Sequence, residues 1–156
     1  MCSSDLHRAK QGDILMIDEP ELNLHPANQR RLARLLARLV NAGIKVFLTT
    51  HSDYIIKELN TLIMLNHDSQ ESEDVRKKWN YSQEDRLAYD RIRVYMLREE
   101  LRLKEGNKRK TKEPTMCKAD INPIFGIELA SFDETIDEMN AIQEALYYGL
   151  GNNDRR

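Results

Sequence analysis

Residues 12–26 are Gly-Asp-Ile-Leu-Met-Ile-Asp-Glu-Pro-Glu-Leu-Asn-Leu-His-Pro. The apolar run at 14–17 lacks the polar alternation of a half-exposed strand and predicts a strand buried on both faces, as in a parallel sheet. Such a strand delivers Asp18 and Glu19 to its carboxyl end, where ligands bind in open α/β sheets. Two adjacent acids at that place can hold Mg²⁺ and can orient and deprotonate an attacking water.

An amphipathic helix is predicted after this stretch. Pro26 suits the first position of a helix, and Asn41-Ala42-Gly43 is expected to close it. The apolar positions recur at helical spacing and are expected to face the core: Leu32, Leu35, Leu36, Leu39 and Val40. The other face carries arginines, which we interpret as a solvated helix face in preference to a nucleic-acid surface: Arg30, Arg31, Arg34 and Arg38.

Residues 44–50 predict a second buried strand, so the order is strand, helix, strand with a short connection. A right-handed parallel crossover is the default for such a unit. His51 follows the second strand directly. If the strands are parallel, His51 lies on the same edge of the sheet as Asp18 and Glu19.

This combination resembles the Walker B motif, D-loop and H-loop of the ABC-type ATPases. Within that class, Asp18-Glu19-Pro20-Glu21 followed by Leu24-His25-Pro26 is most similar to the AAA-labelled ATPases found beside bacterial nucleases and phage-defence genes. Residues 46–52 resemble the next strand of the family and its H-loop histidine. The resemblance is dense from about residue 12 to 65 and thinner towards residue 148.

The resemblance implies roles for individual residues. Asp18 would help to hold Mg²⁺, Glu19 would be the general base for ATP hydrolysis, and His51 would contact the γ-phosphate. The D-loop residues would lie where two heads close around ATP: Asn23, Leu24 and His25. Transporters usually have an aspartate at the position of His25, so its exact contact does not carry over. ATP and Mg²⁺ are the implied cofactors, and a second ATPase head is the implied partner, with a nuclease or phage-defence protein as a further candidate.

The phosphate cradle of this family is not found in the sequence. A P-loop needs Gly-x-x-x-x-Gly-Lys-Ser/Thr, and none of the 6 glycines opens that pattern. The chain therefore resembles the C-terminal half of an ATP-binding head, active only with an N-terminal P-loop region and as a dimer. Residues Met1 to Leu6 suggest a truncated or artefactual N-terminus. The competing interpretation is that Ser3-Ser4 forms the edge of the serine-rich signature motif of the family.

Further elements are predicted downstream of His51. Ser52 and Asp53 can cap a short helix that ends at residue 59. Residues 61–65 predict a third buried strand, and the polar segment 66–78 predicts a loop followed by a helix.

Aromatic and capping residues mark the next segment. Trp79 and Tyr81 are expected to pin the end of the preceding helix to the core. Ser82, with Asp85 three residues later, forms a weak capping box and predicts a helix start.

The C-terminal part predicts a small β-hairpin and a helix. Residues 92–97 are expected to pair with residues 115–119 across a basic loop at 104–112. We interpret that loop as the solvent-exposed tip of the hairpin. The alternative is that Lys108, Arg109 and Lys110 contact DNA or another nucleic acid. Residues 127–132 predict a short edge strand, and a final helix is expected to end at Gly149.

The predicted fold class is α/β: a partial P-loop NTPase (ABC-type) parallel sheet with flanking helices, plus the C-terminal hairpin and helix. The 156 residues suffice for one domain. We divide them into the N-terminus (1–11), the ATPase core (12–67), a C-terminal extension (68–150) and a tail (151–156). The net charge of -2 gives no overall electrostatic attraction to nucleic acid.

Composition also bears on the compartment. The 2 cysteines have no ligand-like spacing, which favours a reducing cytoplasm without disulfides. No apolar run approaches the ~20 residues of a membrane span, so no membrane partner is expected.

Two functions of other classes stay open. The first is an ATP-independent interaction module, a relict head that binds a protein partner. The second is a metal nuclease, for which the nearest acidic candidates lie in a segment expected to be a solvated loop: Asp68, Glu71, Glu73 and Asp74.

Overall fold

A computed structural model describes residues 9–103, 110–127 and 141–143 of the chain. The elements in chain order are β1 (Ile14–Asp18), α1 (Pro26–Asn41), β2 (Lys45–Thr49), α2 (Asp53–Met64), α3 (Gln70–Lys78), β3 (Tyr95–Leu103), β4 (Lys110–Lys118), β5 (Ile121–Asn122) and β6 (Gly126–Ile127). Two short 3₁₀ turns, Gln83–Asp85 and Tyr89–Arg91, precede β3.

Strands β1 and β2 pair in parallel, with Asp18 opposite Thr49 at their carboxyl ends. Helix α1 connects them, so the predicted strand–helix–strand unit is confirmed, as is an α/β fold with a parallel sheet and flanking helices.

Local chemistry sets both ends of α1. Pro26 occupies the first turn, and the Nδ1 atom of His25 accepts a hydrogen bond from the N–H of Ala27 at 3.3 Å. After Asn41 the chain turns through Gly43, whose φ of +88° lies in the left-handed region. A Cβ at Gly43 would lie 2.6 Å from the Cγ atom of Gln11, so glycine is favoured there both by conformation and by space.

The two helices α1 and α2 pack against each other and hold most of the core. On α1 the buried residues are Ala33, Leu36 and Ala37. The prediction that Leu35 faces the core is wrong, since Leu35 is 45% exposed. Alanines take the central contact and let α2 approach closely, which shifts the buried stripe away from Leu35.

The predicted arginine face of α1 is exposed at Arg30, Arg31 and Arg38, as expected, but it also makes ion pairs that the sequence did not predict. Arg30 and Arg34 each donate to the buried carboxylate of Glu58 on α2, at 2.6 Å in both cases. Arg38 donates to buried Asp85 at 2.7 Å. The arginine face therefore binds α1 to the neighbouring elements through ion pairs.

The two-strand sheet is covered on one face only within the described residues. Leu15 and Leu48 are half-buried on the side of the helices. Large apolar side chains of the opposite face remain exposed: Ile14, Met16 and Phe47. The expectation of strands buried on both faces is thus wrong for the part of the chain that the structure describes, because its helices cover a single side.

The predicted third strand at residues 61–65 is wrong. Helix α2 continues through this segment to Met64, and Leu62 and Ile63 extend the helical spacing of Ile55 and Leu59 into the core. The predicted cap is confirmed, since the Oγ atom of Ser52 accepts from the N–H of Ile55 at 3.1 Å.

The segment after α2 follows the sequence expectation in part. Helix α3 begins after its N-cap Ser69. Tyr81 is buried in the core as predicted, whereas Trp79 is exposed, which corrects its expected packing role. The capping box of Ser82 and Asp85 is present, although it starts only a 3₁₀ turn.

The predicted hairpin is confirmed with shifted bounds. Strand β3 starts at Tyr95 and not at residue 92, and Tyr95 pairs with Lys118 of β4. Residues 110–112 belong to β4, so the basic loop is shorter than predicted, and residues 104–109 lie outside the description.

The C-terminal predictions fall mostly on residues outside the description. β6 pairs with β5 and includes Ile127, but the rest of the predicted edge strand at 128–132 is not described. Of the predicted final helix, residues 141–143 are described and are helical. No described helix combines the length and the apolar character needed to cross a membrane.

Candidate functional site

The carboxyl ends of β1 and β2 carry the candidate site. The hydroxyl of Thr49 donates a short hydrogen bond to the Oδ1 atom of Asp18. The backbone N–H of Glu19 lies 3.1 Å from both the carbonyl oxygen and the hydroxyl oxygen of Thr49. Thr49 thus fixes the side chain of one acid and the backbone of the next.

Glu19 turns away from the strand direction at this point. Its φ of +41° is in the left-handed region, which a non-glycine residue adopts only when the surrounding contacts hold it there. The Oε1 atom of Glu19 lies 3.5 Å from the Nε2 atom of His51. The imidazole of His51 is 88% exposed, so both groups are open to a ligand from solvent.

A second acid of the same turn is buried behind this pair. Glu21 is only 8% exposed. Its Oε1 atom accepts from the hydroxyl of Thr50 at 2.6 Å and from the backbone N–H of His51 at 2.7 Å. Burial by itself raises the pKa of Glu21, but these hydrogen bonds outweigh it and hold the pKa below its ordinary value.

A further bridge joins the two turns through Gln29 of α1. Its Nε2 atom donates to the carbonyl oxygen of Leu24 at 2.8 Å, and its Oε1 atom accepts from the hydroxyl of Ser52. The turn after β1 and the turn after β2 are therefore connected by two sets of side-chain hydrogen bonds, one through Glu21 and one through Gln29.

The predicted D-loop residues lie between β1 and α1. Asn23 is exposed and has a φ of +63°, and His25 is exposed as the N-cap of α1. Leu24 is half-buried and is held by Gln29. Their expected place at an interface between two heads stays a prediction.

The predicted nucleic-acid contact falls on the segment between β3 and β4. Lys108 and Arg109 are outside the described residues, and Lys110 is the first residue of β4. Their contact with nucleic acid stays a prediction.

The donor set at Asp18 fits a magnesium ion that arrives with phosphates. Mg²⁺ is usually held by one or two carboxylates together with waters and phosphate oxygens, and Asp18 offers an exposed carboxylate that Thr49 orients. Across the described ranges, no cluster of three His, Cys, Asp or Glu side chains forms an all-protein metal cage.

Five residues of this network were not predicted as site residues: Glu21, Gln29, Thr49, Thr50 and Ser52. Glu21 lies two positions after Glu19, and Thr49 lies two positions before His51, so a search of the neighbours in sequence would have found them. Gln29 gives no such sign, because its partners lie on two different turns.

Comparisons with known proteins agree with this geometry. The family model of the AAA ATPase domain matches residues 4–56. UvrABC system protein A of Lactiplantibacillus plantarum is 38% identical over 64 residues, which is 40% of this chain and 7% of that protein. The chain thus spans a small part of the length of this relative. No solved structure matches the chain significantly.

Proposed function

Because residues 4–56 match the family model of the AAA ATPase domain, we propose that this chain supplies the hydrolytic edge of an ATP-hydrolysing site. The observation that carries the proposal is the distance of 3.5 Å between Glu19 and His51 at the carboxyl end of a parallel strand pair. This edge of an α/β sheet is where ligands bind.

Glu19 is the general base in this proposal. Its carboxylate is accessible and is anchored through its own backbone to Thr49, so it can accept a proton from a water that attacks the γ-phosphate. His51 stands beside it with an exposed imidazole, in a position to hydrogen-bond the γ-phosphate or the same water. Positioning and charge stabilisation supply most of the catalysis in phosphoryl transfer.

Asp18 is the residue that would hold Mg²⁺, either directly or through water. The ion would neutralise negative charge on the phosphates of ATP. The hydroxyl of Thr49 occupies one lone pair of Asp18 Oδ1 and leaves the other carboxylate oxygen available.

The proposed activity needs parts that the 156 residues do not contain. No P-loop motif occurs among them, so a P-loop region must come from elsewhere. We propose a second ATPase head as partner, with Asn23, Leu24 and His25 at the interface. A nuclease or phage-defence partner, a DNA contact through Lys108, Arg109 and Lys110, and a cytoplasmic location belong to the same proposal.

An ATP-independent interaction module is the second candidate. The exposed apolar side chains on the free face of the β1–β2 sheet favour it, because contiguous exposed apolar surface marks interaction sites: Ile14, Met16 and Phe47. Both candidates predict a partner surface, and only the first predicts hydrolysis.

Genomic sequence and an assay separate the two candidates. We expect an in-frame P-loop upstream of the Met1 codon, and MgATP hydrolysis by the polypeptide that includes it. Glu19→Gln should lower kcat about 100-fold, within the range for loss of a general base, while the exposed control Glu84→Gln leaves it unchanged. Hydrolysis that is insensitive to Glu19→Gln would contradict the proposal, and absence of any P-loop would favour the interaction module.

A further inference from the structure

We propose that Glu21 is a positioning residue for His51, in the sense that its buried carboxylate fixes the turn that brings the imidazole next to Glu19. This inference rests on the proposed function, and it assigns a role to an acid that lies beside the hydrolytic residues without facing the ligand.

Glu21 contacts the backbone of His51 and the side chain of the residue before it. One carboxylate oxygen, Oε1, accepts both the hydroxyl of Thr50 at 2.6 Å and the N–H of His51 at 2.7 Å. Hydrogen bonds to an ionised carboxylate are roughly twice as strong as neutral ones. The Thr50–His51 peptide is therefore held at its N–H, and the preceding side chain is held as well.

The other end of the same turn is fixed by α2. The N–H of Ser52 donates to the hydroxyl oxygen of Thr50 at 3.0 Å, and the Oγ atom of Ser52 accepts from Ile55 inside the helix. The hydroxyl of Thr50 thus accepts a hydrogen bond from Ser52 and donates one to Glu21. Without Glu21, the turn keeps its attachments to α2 and, through Gln29, to Leu24, but it loses the bond that holds the N–H of His51.

The imidazole itself has little packing to hold it. His51 is almost fully exposed, so the side chain is placed by its backbone and not by surrounding atoms. The distance of 3.5 Å to Glu19 consequently depends on the orientation of the Thr50–His51 peptide. A shift of about 1 Å in a catalytic group can reduce a rate about 100-fold.

Only one of the two carboxylate oxygens of Glu21 has hydrogen-bond partners among the described residues. Its second oxygen, Oε2, is buried without a hydrogen-bond partner in the part of the chain that the structure describes. Leaving a buried polar atom unsatisfied costs about 1–3 kcal/mol. A smaller or apolar side chain would avoid that cost, so the carboxylate is better explained by what Oε1 holds than by packing.

The activity arm of the test uses the MgATP-hydrolysing polypeptide with three variants. Glu21→Ala should lower kcat about 100-fold with KM nearly unchanged. The variant misplaces the imidazole of His51, which is needed in its correct position in the transition state. Glu21→Gln keeps an oxygen acceptor and should lower kcat about tenfold through loss of the charge. Thr50→Val should fall between wild type and Glu21→Ala, and Thr61→Val, which loses only a bond to the carbonyl oxygen of Lys57, is the matched control.

The structural arm uses the ¹⁵N-labelled 156-residue chain. The amide proton of His51 should move upfield in Glu21→Ala, because it loses a charged acceptor, while the amide of Ile55 stays in place as a control for the fold. An unchanged His51 amide, or a wild-type kcat in Glu21→Ala, would overturn the inference. Equal displacement of both amides would also overturn it, since Glu21 would then support the fold in general.

The two arms separate this inference from the proposed function. A wild-type polypeptide without Glu19-dependent hydrolysis would refute the proposed function, and the His51 amide would still decide whether Glu21 fixes the turn.

Discussion

The Nε2 atom of His51 lies 3.5 Å from the Oε1 atom of Glu19, across the carboxyl ends of two parallel strands. The two residues are far apart in sequence, and the parallel register of β1 and β2 brings them to one edge. Thr49 orients the Asp18–Glu19 turn from one side, and Glu21 holds the His51 turn from the other. The site is thus built from two turns that each hold the other in place.

Thr49 is expected to control the use of magnesium. Thr49→Val removes the hydroxyl that donates to Asp18 and leaves the strand intact, because valine has a similar shape and favours strands. We expect the Mg²⁺ concentration for half-maximal ATP hydrolysis to rise about tenfold, as found when partners that orient a metal ligand are removed. The measurement is a Mg²⁺ titration of hydrolysis at saturating ATP, with Thr61→Val as control. An unchanged Mg²⁺ requirement would refute the role of Thr49.

Glu58 is expected to stabilise the contact between α1 and α2. It is buried and accepts from both Arg30 and Arg34. Glu58→Gln removes the charge that pairs two guanidinium groups and should lower the free energy of unfolding by about 2 kcal/mol. Urea denaturation measures this change as a lower midpoint. The exposed pair of Glu99 and Lys112 supplies the control, since Glu99→Gln should cost less than about 0.5 kcal/mol; equal effects of the two variants would contradict the prediction.

Asp85 is expected to make stability depend on pH in the acidic range. Burial raises its pKa, but the hydrogen bonds from Arg38 and from the N–H of Ser82 outweigh burial and hold the pKa below its ordinary value. A carboxyl with a depressed pKa contributes stability that is complete above its unfolded-state pKa and is lost as the pH falls through the folded-state pKa.

The matching measurement compares wild type with Asp85→Asn across pH. At pH 7 the variant should be less stable by about 2 kcal/mol, and the difference should shrink below about pH 4 as wild-type Asp85 takes up its proton. Asp90→Asn, at an exposed position, serves as the control. A difference that stays constant down to pH 2 would show that the charge of Asp85 does not carry the effect.

The parallel unit and the residues at its edge could be predicted from sequence because local signals agree there. Apolar runs end in Asp18-Glu19 and in His51, and Pro26 and Gly43 mark the ends of the helix between them. The parallel pairing of the two strands then follows from the short connection through one helix.

Other features depend on partners that the sequence does not reveal. Residues 61–65 form a short apolar run that periodicity cannot assign to a strand or to a buried helix; the spacing of Ile55, Leu59 and Leu62 was the better guide. The ion pairs of the α1 arginines could not be predicted because Glu58 and Asp85 lie on elements that are distant in sequence.

The central claim is that Glu19 and His51 act on one reaction step, and a double-mutant cycle in kcat for MgATP hydrolysis tests it most directly. We predict that His51→Ala lowers kcat about 100-fold in the wild-type background but less than about threefold in Glu19→Gln, because residues that act as a unit are non-additive. Multiplicative losses, or a His51→Ala variant with wild-type kcat, would contradict the account.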